Sequence, residues 1–86
     1  MDDIRKQFGR LLRESRTYHG LTQEELAFRA GMSVPYLSEL ENGHWNPSLA
    51  MLVDLGRALS LHPAELLKNL AVDFSAEPPK RRRSEE

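Results

Sequence analysis

The sequence predicts an all-α domain of five short helices, on three observations. Apolar residues recur at helical spacing in each ordered stretch and nowhere alternate as a half-buried strand requires. Those stretches are punctuated by residues that start or stop helices: Asp, Thr, Ser or Pro at the openings and Gly near the ends. The chain has 86 residues, 40% of them hydrophobic, which suits one small globular unit with a modest core. The expected division is 1-74 for the domain and 75-86 for a disordered tail.

The first helix begins beside Asp2 and Asp3, whose charges favour the positive end of its dipole. Ile4, Phe8, Leu11, Leu12 and Ser15 form an apolar stripe on a helix of about sixteen residues. Arg5, Lys6, Arg10, Arg13 and Arg16 occupy its other faces, and Gly20 ends it. Thr22 opens a second helix, with Glu25 three residues later at capping-box spacing. Leu26, Ala27 and Ala30 share one face of it, and Gly31 stops it in a left-handed conformation. Ser33 caps a third helix that buries Leu37 and Leu40 and closes at Asn42-Gly43. Two short helices joined by a tight turn make a helix-turn-helix, whose second helix can lie in a DNA major groove.

The loop His44-Trp45-Asn46-Pro47 leads to a fourth helix, capped by Ser48 or Asn46. Leu49, Leu52, Leu55, Gly56 and Leu59 lie on one side of it, and Gly56 implies close packing against a neighbouring backbone. Pro63 suits the first position of a fifth helix carrying Leu66, Leu67 and Leu70. From Glu77 to Glu86 no apolar periodicity remains, and disorder is expected.

Composition excludes several classes of function. Without cysteine there are no disulfides, thiolate metal sites or thiol nucleophiles, and the chain suits a reducing cytosol. No apolar run approaches the ~18–20 residues of a membrane span, and the acidic start does not resemble a secretion signal. The protein is expected in the cytoplasm. Three histidines lie far apart without partners at ligand spacing, so no metal is expected. No nucleophile–base spacing or glycine-rich phosphate loop is present, so neither an enzyme, a cofactor nor a small-molecule ligand is expected.

Charge is unusual for a nucleic-acid binder. The net charge is −1, with eight Lys/Arg against ten Asp/Glu over 1-74 and a basic cluster at Lys80–Arg83. Phosphate contacts supply much of the affinity for DNA, so binding requires local placement of charge, two copies of the domain, or the basic tail.

The stretch LTQEELA, the AG turn, YLSELENG, NPSL and LGRALSLHPAELL together resemble the Cro/CI-type (XRE) helix-turn-helix domains. The resemblance covers roughly Ile4 to Leu70, and within the family it is nearest to small restriction–modification controller proteins. It implies a lambda-repressor-like fold and a transcriptional regulator that binds double-stranded DNA, with a recognition helix at about 33-42. It also implies an Arg16–Glu41 ion pair joining the first and third helices. Gln23 then falls where the family holds a phosphate, and the loop bearing Asn42, His44 and Asn46 where it touches the DNA backbone. Arg10 and Arg13 are expected to help hold the domain on the DNA.

Base reading is expected from Ser33, Val34, Pro35, Tyr36, Ser38 and Glu39. Val34 and Pro35 can meet a thymine methyl, and Glu39 can accept from a cytosine amino group. With no Lys or Arg in this helix, discrimination leans partly on DNA shape. Trp45 has two readings, a loop anchor or a group that stacks on DNA. Leu61, Leu66, Leu67, Leu70, Val72 and Phe74 either cover the core or form a two-fold interface, as the resemblance implies. The expected protein is a homodimer on a pseudo-palindromic operator. The alternative is an antitoxin-like or adaptor module that binds another protein.

Overall fold

A computed structural model describes residues 3–78, which form α1 (Ile4–Tyr18), α2 (Gln23–Ala30), α3 (Val34–Glu41) and α4 (Leu49–Leu59), then a 3-10 turn, Pro63–Leu66. No strand occurs among the described residues. The cluster Lys80–Arg83 and most of the tail expected to be disordered lie outside them.

Local chemistry sets nearly every boundary. The Asp3 carboxylate caps α1 by accepting from the Arg5 backbone N–H at 2.7 Å. The Arg5 side chain also bonds it, holding its pKa down at about 2. Thr22 and Glu25 close a complete capping box, each side chain 3.0 Å from the other's backbone nitrogen. Gly31 ends α2 at φ 72°, where a side chain would be strained. The hydroxyls of Ser33 and Ser48 accept from Tyr36 N and Met51 N, so Ser48 rather than Asn46 is the cap of α4.

The fifth helix is one 3-10 turn. Leu66 packs into the core, and the Lys68 N–H still reaches the Ala64 carbonyl. Past these turn bonds the Ala71 N–H goes to the Gln7 side chain at 2.8 Å rather than to the backbone. Gln7 is buried on α1, so its amide ties the first helix to Ala71, beyond the 3-10 turn.

The core gathers Phe8 and Leu12 from α1, Leu26, Ala27 and Ala30 from α2, Leu37 and Leu40 from α3, Leu55, Ala58 and Leu59 from α4, with Leu21 and Leu66. Burying each large side chain stabilises by roughly 1.5–3 kcal/mol. Ile4 and Leu49, placed on apolar stripes by spacing, are exposed because each lies at the open end of its helix. Gly9 permits the crossing of α1 over α3. A Cβ there would lie 2.7 Å from the Leu40 carbonyl oxygen and closer still to that of Glu41. Gly56 does the same beside Leu61, as expected from its place inside α4.

Candidate nucleic-acid interface

The surface around α3 is organised by one carboxylate. Glu41 ends α3 with its side chain fully buried. Arg16 of α1 grips it as a fork, Nε to Oε2 at 2.6 Å and Nη2 to Oε1 at 3.1 Å, while Nη1 reaches the Leu21 carbonyl at 2.9 Å. Gln23 of α2 donates to the same Oε1 at 3.0 Å, and Arg13 Nε stands 3.5 Å from it. Burial opposes the charge on Glu41. The bonds from Arg16 and Gln23 and the charges of Arg16 and Arg13 outweigh it and hold the carboxyl below its ordinary value. The implied Arg16–Glu41 pair is therefore formed, and it locks α1, the start of α2 and the end of α3 together.

This network positions several of the expected contact residues. One Gln23 amide hydrogen is committed to Glu41, and the other remains for an outside acceptor. Gln23, Thr22, Glu24, Arg16 and Val34 line an open depression of about 430 Å³ where α2 and α3 begin. Helix starts favour anions, so a phosphate suits this place, with Glu24 as the opposing charge. Arg13 donates to Asn42 Oδ1 at 3.1 Å, which joins those two residues at the far end of α3. Arg10 is exposed on α1, one turn before Arg13.

On α3 itself, Ser33 and Pro35 are exposed, whereas Ser38 and Glu39 are half-buried. Val34 and Tyr36 pack in part against the core, so only part of each side chain is left for a base. The Ser33 hydroxyl accepts from Tyr36 N and keeps its own hydrogen to donate. Trp45 is a loop anchor, and it anchors on the outer side of α3. Its indole N–H donates to Glu39 Oε2 at 3.3 Å, and its ring stacks on Tyr36 with centroids 6.3 Å apart and planes 28° from parallel. His44 and Asn46 are exposed. Asn46 borders an apolar groove of about 270 Å³ with Ile4, Phe8, Leu52, Leu67 and Leu70.

The residues assigned to a two-fold interface separate into three groups. Leu66 is 3% exposed and belongs to the core, so it has almost no surface to offer a second copy. Leu61 and Leu70 pack partly on the core. Leu67, Val72 and Phe74 are exposed, Phe74 at 94%. Three features escaped sequence reasoning: the Gly9 crossing, the Gln7–Ala71 clamp and the Trp45–Glu39 bond. A glycine inside a helix signals the first; the Gln7–Ala71 clamp depends on long-range placement, and the Trp45–Glu39 bond on the path of the loop after α3, which no helical spacing carries.

Among the described residues no group of side chains can hold a metal ion, and no helix is long and apolar enough to cross a membrane. Four helices, of which α2 and α3 are joined by a tight turn at Gly31 with a polar face beside them, define a helix-turn-helix protein. The chain belongs to the helix-turn-helix domain family, whose model matches residues 7–68. It is 43% identical over 65 residues to the uncharacterized HTH-type transcriptional regulator y4dJ of Sinorhizobium fredii, covering 76% of this chain and 84% of that one. Among solved structures it is similar to the restriction-modification controller protein C.AhdI of Aeromonas hydrophila. That likeness has 44% identity and a TM-score of 0.69, covering 71% of this chain and 92% of the other. The clp gene regulator ClgR of Corynebacterium glutamicum is 36% identical with a TM-score of 0.74, covering 78% and 87% respectively. The Cro/CI-type resemblance read from the motifs is thus the family to which the chain belongs.

Proposed function

We propose that this chain is a sequence-specific regulator of transcription that binds double-stranded DNA as a homodimer on a pseudo-palindromic operator. The observation that carries this reading is the rigid presentation of α3. The Arg16–Glu41–Gln23 network fixes it against α1 and α2, with an open depression at its start and Arg13 and Asn42 at its end. Base contacts fall to Ser33, Val34, Pro35, Tyr36, Ser38 and Glu39, and backbone contacts to Gln23, Asn42, His44, Asn46, Arg10 and Arg13. Relatives named as transcriptional regulators and as a controller protein support the same reading.

A second copy docks through Leu67, Val72 and Phe74, flanked by Leu61 and Leu70. Dimerisation doubles the phosphate contacts, which a chain of net charge −1 requires. It also sets two recognition helices about one DNA turn, ~34 Å, apart. A role on DNA is in keeping with a cytoplasmic protein. Selection of bound duplexes from a random pool, with sedimentation of the complex, tests both parts. Two related half-sites bound by two chains are expected. Weak binding that stays indifferent to sequence at every salt concentration would overturn the proposal and favour a protein-binding adaptor.

A further inference from the structure

We propose that Trp45 is a positioning residue for base recognition, holding Glu39 and Tyr36 as one unit so that Glu39 reads a cytosine amino group in each half-site. The inference deepens the DNA-binding reading above and rests on it.

A carboxylate near DNA is repelled by phosphates and carries flexible torsions that must be ordered before it can read a base. The second difficulty is relieved for Glu39. It lies three residues after Tyr36 on the same face of α3. Trp45 reaches both, stacking on the tyrosine ring and donating its indole N–H to Glu39 Oε2. An indole nitrogen only donates, so the contact specifically orients an acceptor. It occupies Oε2 and leaves Oε1 with both of its lone pairs. Trp45 remains 48% exposed, so the unit sits at the surface where another molecule can meet it.

An acceptor-only atom in the major groove selects an amino group and rejects guanine O6, guanine N7 and thymine O4. Cytosine N4 is the usual partner of such a carboxylate. Residues 33–42 contain no Lys or Arg, so the discrimination made by this helix rests on few polar groups, and the orientation of each one matters.

The test compares wild type, Trp45→Phe, Glu39→Ala and the double variant on duplexes selected by the wild type. Phenylalanine keeps a smaller ring for Tyr36 and removes the N–H. Discrimination at one C·G pair per half-site is expected to fall about fivefold or more in each single variant. No further fall is expected in the double variant, because the two residues act through one contact. Equal weakening on all sequences, or additive losses, would overturn the proposal by making Trp45 a packing residue.

The indole N–H resonance of the free protein supplies a second readout and is expected to move in Glu39→Ala. Should it stay fixed while the wild type still selects a site, the positioning role alone fails. Should the wild type select no sequence although the resonance moves, the DNA reading fails and takes this proposal with it.

Discussion

Alanine is ordinarily favoured over glycine inside a helix by about 1 kcal/mol. At position 9 the balance reverses, because the added carbon would meet backbone carbonyl oxygens of Leu40 and Glu41 that cannot turn aside. Gly9→Ala is expected to destabilise the domain by about 1–3 kcal/mol in urea denaturation. A neutral or stabilising result would mean that α1 and α3 separate more easily than their crossing suggests. Residues whose partners lie within a turn were legible in the sequence. Thr22, Glu25, Ser33 and Gly31 all occupy the capping and stop positions that their spacing predicts. The partners of Gly9, Gln7 and Trp45 were not, because each meets a residue beyond its own turn of helix or loop. Leu66 shows a further boundary: an apolar residue reads the same whether it faces the core or a partner.

Between elements, the Arg16–Glu41 pair fixes geometry more than it adds net stability, since both charges must leave water to form it. Arg16→Met strands a buried carboxylate on Gln23 and the more distant Arg13 and is expected to cost about 3 kcal/mol. Combining it with Glu41→Leu should recover most of that loss, and a double-mutant cycle by denaturation checks the recovery. The lowered pKa of Glu41 also has a definite sign. Its contribution is fully present above the ordinary value of 4.5 and is lost as pH falls through the lower folded value. A Glu41→Gln variant should therefore show a flatter loss of stability on acidification than the wild type. Identical acid limbs would contradict the network as drawn. The four main helices were readable from periodicity and caps, whereas the fifth is one 3-10 turn, followed by isolated turn bonds and then by Ala71, whose N–H goes to Gln7.

For the molecule as a whole, charge and exposed apolar surface favour two copies. Phe74→Ser and Leu67→Ser together are expected to shift sedimentation toward the monomer and to weaken operator binding by more than tenfold, about 1.4 kcal/mol or more. An unchanged sedimentation coefficient would move the interface elsewhere. The Gln7 clamp has a mechanical consequence. Its bonds join positions 64 residues apart, so the path between them is fastened like a belt with its buckle near the two ends. Tension applied across the chain loads that buckle early, while the helices it encloses are still slack. Gln7→Ala is expected to lower the opening force in a single-molecule pulling experiment, and an unaltered force would show that the helices carry the load.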